Sequence, residues 1–217
     1  MDSHPLLKRF SAGFQRFQKS WYCPENNLYA ELREGQKPHA LIIACSDSRV
    51  DPVQVLDCTP GDLFVIRNVA NLVPPYEPDA HYHGVSSALE YAVRHLRVPN
   101  IVVMGHAHCG GINSLMHASE HDHDEFLNVW MGQAQRARTE VEHALPDGTT
   151  EERLRACEMW GIRISLDNLR TFPWIREAMQ ERNLALHGLY FDMGIGELLY
   201  LDQETDTFVP MVRACAS

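Results

Sequence analysis

The sequence predicts an α/β fold with a central, mainly parallel β-sheet flanked by helices, an amphipathic N-terminal helix and a C-terminal antiparallel hairpin. Three short runs of apolar, β-prone residues, at 41–44, 63–66 and 101–104, have the length and composition of buried strands. Helical patterns separate these runs, and a helical crossover joins strands that lie parallel in one sheet. The 217 residues are 45% hydrophobic and 22% charged, ordinary globular values that predict a single domain over residues 1–217.

The first predicted element is a helix over residues 6–21, where leucine, phenylalanine and tryptophan recur at helical spacing. Residues 24–35 follow as a connection or a short helix, and we treat residues 1–35 as an N-terminal helical arm. The apolar stripe of the helix has two interpretations, packing within the chain or covering a neighbouring subunit. Both bury apolar surface, so the sequence does not separate them.

The middle of the chain alternates strand and helix. A turn signal at 59–62 separates a short helix around residues 53–56 from the second strand. An apolar face over residues 85–96 predicts the crossover helix before the third strand.

Helices dominate the next part of the chain. Long helical patterns cover residues 126–145 and 151–169, and a third begins near Pro173. The apolar runs at 187–192 and 197–201, with glycines between them, predict the C-terminal strand and hairpin.

Charge and composition restrict the partners. The net charge of −10 excludes nucleic acid and anionic membrane surfaces, which require a basic footprint. No stretch approaches the roughly 20 apolar residues of a membrane span, and the first residues do not resemble a signal peptide. We therefore expect a cytoplasmic protein with a small-molecule substrate. In such a chain, metal binding or core packing is a better expectation for the six cysteines than disulfides.

Two thiols and an imidazole stand at the ends of predicted strands. Cys45 directly follows the first strand, and His106 and Cys109 follow the third. The carboxyl ends of neighbouring parallel strands meet at one edge of the sheet, where such folds bind ligands. Three ligands of this type, with a fourth position left open, are the pattern of a catalytic zinc site. The alternative is a pair of buried structural thiols and a hydrogen-bonded loop histidine.

Other histidines of the chain are alternative candidates for metal ligands. His108 lies in the same loop, and as a fourth ligand it would make the zinc structural and closed. His117, His121 and His123 lie in an acidic stretch without a thiol, which favours a solvated loop over a second metal site.

Charged and small residues accompany the predicted ligands. A carboxylate beside a guanidinium, as in Asp47 and Arg49, stays ionised and can accept a hydrogen bond from a reacting water. A plain ion pair in a loop is the alternative. Gly110 and Gly111 allow a close backbone approach and precede a helix predicted to begin at Ile112, whose amino end offers donors to an anion.

Taken together, these segments resemble the β-class carbonic anhydrases over roughly residues 36–201. The matching segments are Ala44-Cys45-Ser46-Asp47-Ser48-Arg49-Val50, Gly61-Asp62-Leu63-Phe64-Val65-Ile66-Arg67-Asn68-Val69-Ala70-Asn71, Gly105-His106 through Cys109-Gly110-Gly111, and Ser165-x-x-Asn168-Leu169-x-Thr171-Phe172-Pro173-Trp174. The resemblance implies reversible hydration of carbon dioxide to bicarbonate and a proton through zinc-bound hydroxide. One Zn²⁺ per chain would be held by Cys45, His106 and Cys109, with Asp47 and Arg49 as a catalytic dyad.

The resemblance also implies a substrate pocket, partly formed across the interface of a homodimer or a dimer of dimers. Its residues would be Gln36, Phe64, Val69, Tyr91 and Gly110.

The resemblance further separates two subclasses. One places tryptophan and glycine where this chain has Ile42 and Ala44 and can close the metal with its aspartate, so we expect the open, type I-like subclass here. Hydrolysis of carbon disulfide or carbonyl sulfide on the same scaffold is an alternative, as is a non-enzymatic protein with structural zinc.

Overall fold

The computed structural model describes residues 4–24, 26–117 and 124–213. The chain divides into two compact units, Met1–Lys37 and Pro38–Ser217, and each is described by itself. The assignment of one domain over the whole chain stays a prediction.

The first unit is helical, as predicted for the arm. Helix α1 (Pro5–Trp21) begins after His4, whose ring accepts a hydrogen bond from the Leu6 N–H, and α2 spans Leu28–Leu32. Aromatic rings join the two helices: the centroids of Phe17 and Tyr29 are 5.4 Å apart. The apolar stripe of α1 is exposed, with Phe10 and Phe14 each 60% accessible.

The second unit contains a sheet whose order, among the described residues, is β2-β1-β3-β4-β5-β6. The strands are β1 (Ala40–Cys45), β2 (Leu63–Asn68), β3 (Asn100–His106), β4 (Ala185–Asp192), β5 (Glu197–Asp202) and β6 (Thr207–Val212). Strands β1 to β4 pair in parallel, whereas β5 and β6 pair antiparallel at the C-terminal edge. The predicted fold class is confirmed.

Helices cover this sheet. They are α3 (Pro52–Val55), α4 (Gly84–Glu90), α5 (Gly110–Met116), α6 (Leu127–Gly132), α7 (Gln135–Ala144), α8 (Thr150–Leu169) and α9 (Pro173–Arg182). A π-helical segment, Tyr91–His95, continues α4, and a 3₁₀ turn, Val69–Asn71, follows β2. No helix of the described residues has the length and apolar character needed to cross a membrane.

Three details of the sequence prediction were wrong. The single helix predicted over residues 126–145 is two helices, because the backbone leaves helical geometry at Ala134, two residues after Gly132, a weak helix former. Strand β6 was not predicted, since Pro210 argues against a strand except at a sheet edge, where β6 lies. Helix α5 begins at Gly110, two residues before the predicted start. Of the three histidines in the acidic stretch, His121 and His123 lie outside the described residues.

Two glycines allow α8 to lie close against the sheet. A Cβ at Gly105 of β3 would lie 2.8 Å from the Ile162 side chain of α8, and one at Gly188 of β4 would lie 3.0 Å from it. Strands β1 and β3 are almost wholly buried beneath the helices. This close packing brings the side chains of α8 to the loop that follows β3.

Candidate metal centre

The three predicted ligands converge at the carboxyl ends of β1 and β3. The ligand atoms of Cys45, His106 and Cys109 all lie within 4.8 Å of one another, and all three residues are buried. Among the described residues, this is the one group of three or more histidine, cysteine or acidic side chains that could hold a metal. We call it the Cys-His-Cys cluster.

The imidazole of His106 is oriented for metal binding. Its Nδ1–H donates to the Ala107 carbonyl oxygen at 2.8 Å, which leaves the lone pair on Nε2. This buried Nε2 has no hydrogen-bond partner in the described part of the chain. A buried acceptor without a partner is costly, and a metal ion satisfies it.

The two thiols lie within hydrogen-bond distance of each other. Their Sγ atoms are 3.9 Å apart, and the hydrogen bond from Cys109 lowers the pKa of Cys45 to about 4 even though burial opposes this shift. The same contact and burial raise the pKa of Cys109. Backbone N–H groups of Asp47 and Ala70 also stabilise the Cys45 thiolate. A divalent cation replaces the thiol protons, so two thiolates and one imidazole form a donor set suited to zinc.

The backbone beside the cluster is tightly packed. A Cβ at Gly111 would lie 2.6 Å from Val69 Cγ1, whereas a Cβ at Gly110 would meet open space. The close backbone approach to the metal expected of these two glycines stays a prediction. Ala70 adopts the left-handed region with φ 63°, which is unfavourable for a residue with a side chain. The amino-terminal N–H groups of α5, from Gly111 and Ile112, donate hydrogen bonds to the Cys109 sulfur.

Asp47 and Arg49 form a two-point ion pair on the solvent side of the cluster. Arg49 Nε donates to Asp47 Oδ1 at 2.9 Å, and Arg49 Nη2 donates to Oδ2 at 2.6 Å. These contacts hold the pKa of the Asp47 carboxyl well below its usual range. Arg49 Nη2 also donates to the His108 carbonyl oxygen at 3.1 Å. The aspartate lies beside the metal ligands but is not a member of the cluster.

Sequence reasoning missed two residues at this centre. Arg67 of β2 donates to the Cys45 carbonyl oxygen at 2.9 Å and to Asp51 Oδ2 at 3.1 Å, so it fixes the turn that carries the dyad. Glu158 of α8 is buried and accepts a hydrogen bond from the Cys109 N–H at 2.9 Å. Glu158 had a weak signal in the sequence, a carboxylate next to apolar residues in the helix predicted over residues 151–169.

The predicted pocket residues separate into groups. Val69 borders the cluster through its contact with Gly111. Phe64 pairs in register with Leu41, four residues before Cys45, and therefore lies about 13 Å along the strand from the cluster. Tyr91 accompanies Phe64, with ring centroids 5.9 Å apart.

The remaining loop histidine, His108, is exposed and stands outside the cluster, with φ 58°. Gln36 belongs to the first compact unit.

A mainly parallel α/β sheet that presents a buried Cys-His-Cys cluster and an aspartate–arginine pair at its strand ends defines a class of metal-dependent enzyme. The family model for carbonic anhydrase matches residues 40–198. The chain belongs to the carbonic anhydrase family, in its β class, which is zinc-dependent.

Individual relatives agree. Beta carbonic anhydrase 3 of Arabidopsis thaliana is 35% identical over 212 residues, covering 94% of this chain and 82% of the relative. The mitochondrial beta carbonic anhydrase 6 of the same plant is 37% identical over 193 residues, covering 88% of this chain and 66% of the relative, slightly under two thirds of its length.

Solved structures share the fold. The β-carbonic anhydrase CcaA superposes with a TM-score of 0.88 at 32% identity, covering 99% of this chain and 94% of that one. One of two tetrameric β-carbonic anhydrases from Sordaria macrospora gives 0.75 at 33% identity, covering 89% and 92%.

Proposed function

We propose that this protein catalyses the reversible hydration of carbon dioxide to bicarbonate and a proton, with one zinc ion per chain held by Cys45, His106 and Cys109. The observation that carries the proposal is the buried cluster of three ligand atoms with an orphaned His106 Nε2 beside an ionised Asp47. Three protein ligands leave the fourth position of a tetrahedral metal open, as catalysis requires.

The residues around the cluster have separable tasks. Zinc, when bound, lowers the pKa of a coordinated water to about 7 in carbonic anhydrase and so supplies a nucleophile near neutral pH. Asp47 accepts a hydrogen bond from the reacting water and directs its lone pair toward the carbon of carbon dioxide. Arg49 keeps Asp47 ionised and holds both of its oxygens away from the metal ligands. Arg67 anchors the turn on which the dyad stands.

The pocket is proposed to include a second copy of the chain. Val69 and Gly110 line the pocket beside the chain's own cluster, whereas the assignment of Gln36 to a pocket stays a prediction. The distance of Phe64 and Tyr91 from that cluster along the strands supports their placement in the partner's pocket. A homodimer or a dimer of dimers follows, and the Sordaria macrospora relatives are described as tetrameric.

The alternative functions receive no support from a specific observation. Structural zinc requires a fourth protein ligand, and the cluster of described residues has three. An Asp47 held by two side-chain hydrogen bonds and one backbone hydrogen bond from Arg49 supports the open, type I-like subclass. A cytoplasmic location stays a prediction, and one relative is named mitochondrial.

The test is stopped-flow carbon dioxide hydration on protein of measured zinc content. We expect turnover in proportion to zinc, with a rate that rises above neutral pH because two thiolates offset the charge of the metal. Zinc-loaded protein that leaves carbon dioxide unhydrated but releases hydrogen sulfide from carbonyl sulfide or carbon disulfide would overturn the proposal in favour of the sulfur substrates.

A further inference from the structure

The peptide group between His108 and Cys109 is held at both of its polar ends. Its carbonyl oxygen accepts a hydrogen bond from Arg49 Nη2 at 3.1 Å. Its N–H donates to Glu158 Oε1 at 2.9 Å. One end therefore meets the catalytic dyad and the other meets a buried carboxylate of α8. We call this group the 108–109 peptide.

Local structure does not hold the 108–109 peptide in place. His108 occupies the left-handed region with φ 58°, a conformation that a residue with a side chain keeps only where its surroundings impose it. Cys109 precedes the first residue of α5, so its N–H has no partner within that helix. The plane of the peptide is therefore set by contacts from more distant elements.

Glu158 makes two such contacts at once. Its Oε1 accepts from the Cys109 N–H, and its Oε2 accepts from the Tyr190 hydroxyl at 2.7 Å. Glu158 is 5% exposed and Tyr190 is fully buried on β4. The carboxylate thus joins α8, β4 and the loop that carries two of the metal ligands.

Stability alone does not account for a carboxylate at this position. Burying a carboxylate costs several kcal/mol, and an apolar side chain of similar volume is often at least as stabilising. Among the hydrogen bonds and ion pairs of the described residues, no lysine or arginine contacts either oxygen of Glu158. The nearby Arg155 pairs with Asp192 and lies over the Tyr190 ring, 5.1 Å from its centroid. What a carboxylate supplies here is two acceptors that face two separate elements.

We infer that Glu158 is a positioning residue that acts through the 108–109 peptide. By fixing the N–H of this peptide, it directs the Cys109 sulfur toward Cys45 and His106. Because it fixes the plane of this peptide, Glu158 also orients the His108 carbonyl oxygen, which accepts a hydrogen bond from Arg49 and holds it against Asp47. The inference rests on the proposed metal centre and assigns this role to hydrogen-bond acceptance rather than to negative charge.

Two substitutions separate acceptance from charge. Glu158→Gln keeps an oxygen for the Cys109 N–H, and its amide N–H₂ can donate to the Tyr190 oxygen. Glu158→Met keeps the approximate volume but removes both acceptors. In zinc-loaded full-length protein, we expect E158M to release zinc to a chromogenic chelator about 10–100-fold faster than the native protein. We expect E158Q to stay within about threefold, because its acceptor remains.

A catalytic readout tests the link to the dyad. At saturating zinc, E158M is expected to lower kcat more than it changes KM, because Arg49 loses the correctly placed His108 carbonyl oxygen that holds it against Asp47. Adding E158M to Arg49→Ala should then lower kcat less than it does in the native background, because both substitutions act through one peptide. Ile175→Ala is the matched control: this fully buried residue of α9 supports the core, and its loss should destabilise the fold without changing zinc release below the melting temperature.

Tyr190→Phe keeps the inference falsifiable if E158M does not fold. It removes the hydroxyl that orients Glu158 and should accelerate zinc release about fivefold, the size of one hydrogen bond. Native release rates in folded E158M or in Y190F, or an E158Q that behaves like E158M, would overturn the inference. A native protein that binds zinc but does not hydrate carbon dioxide, with E158M still releasing zinc rapidly, would overturn the proposed function and leave Glu158 as a positioning residue of a metal centre.

Discussion

Two carboxylates flank the Cys-His-Cys cluster, and they differ in almost every physical respect. Asp47 lies on the solvent side, where the Arg49 guanidinium holds its pKa well below the usual range. Glu158 lies on the protein side, where burial raises its pKa against the hydrogen bonds from Tyr190 and the Cys109 N–H. One carboxylate is matched by a full charge and the other by neutral donors.

This difference suits Asp47 to a role in the reaction and Glu158 to a role in positioning other groups. A carboxylate paired with a cation on the solvent side keeps its charge and has room to receive a hydrogen bond from a reactant. A carboxylate enclosed by an amide and a phenol has no room for a reactant, but it can fix the atoms around it. Glu158 contacts the 108–109 peptide directly, and Asp47 is linked to it through Arg49, so one peptide connects the two sides of the cluster.

The largest expected effect comes from removing the cluster that the two carboxylates flank. His106→Ala deletes the one nitrogen ligand, and we expect zinc content to fall from one per chain to near zero, with carbon dioxide hydration at the uncatalysed background. Metal analysis by mass spectrometry after gel filtration, together with stopped-flow assays, measures both. Full zinc occupancy in this variant would place the metal elsewhere and remove the basis of the comparison.

The next effect isolates the solvent-side carboxylate. Asp47→Asn keeps the shape but loses the charge, and we expect turnover to fall about 10²–10⁴-fold because the reacting water loses its hydrogen-bond acceptor. Zinc content and melting temperature should remain native, since the aspartate is not a metal ligand. Unchanged turnover with zinc bound would reduce Asp47 and Arg49 to an ordinary ion pair.

A smaller effect concerns the ion pair of Asp192 with Arg155, the arginine that lies over the ring of Tyr190 on the protein side of the cluster. Burial acts to raise the pKa of Asp192, but the hydrogen bond and charge of Arg155 outweigh it and leave the pKa lowered. Its contribution to stability is therefore full above the unfolded-state pKa near 3.9 and is lost as pH falls through the lower folded-state pKa. Asp192→Asn should cost about 1–3 kcal/mol in urea unfolding at pH 7. The difference from the native protein should shrink between pH 4 and pH 2, and a difference that grows with acidity would reverse the sign of this argument.

The smallest effect is expected at His108, which contributes the carbonyl group of the 108–109 peptide. Asparagine tolerates left-handed backbone better than most residues, so His108→Asn should preserve the loop. We expect one zinc per chain and turnover within about twofold in strongly buffered solution, where an external buffer accepts the proton. Loss of zinc in this variant would make His108 a fourth ligand and the metal structural.

The features that the sequence could predict are those whose pattern lies within a short stretch of the chain. Cys45, His106 and Cys109 stand directly after apolar strand runs, so strand prediction and the geometry of parallel sheets bring them together. The dyad residues are separated by one position, and their pairing needs no knowledge of the fold. The helix break after Gly132 and the edge strand β6 were missed because propensity and proline signals there depend on neighbouring elements.

The contact between Glu158 and Tyr190 could not be predicted from the sequence, because it depends on tertiary structure. Glu158 has only a weak sequence signal and Tyr190 has none, and their hydrogen bond joins positions 32 apart in the chain. Their contact exists because glycines at 105 and 188 let α8 approach β3 and β4. Neither the approach nor the contact has a local pattern that a single sequence reveals.

The separation of Glu158 from Cys109 also sets an order of events during synthesis. The two residues lie 49 positions apart, so at about 5–20 residues per second Glu158 is added roughly 2–10 s after Cys109. During that interval every metal ligand already exists in the nascent chain, while the helix that steadies the Cys109 loop does not. If Glu158 has the proposed positioning role, we expect lasting zinc capture to begin only once α8 has docked.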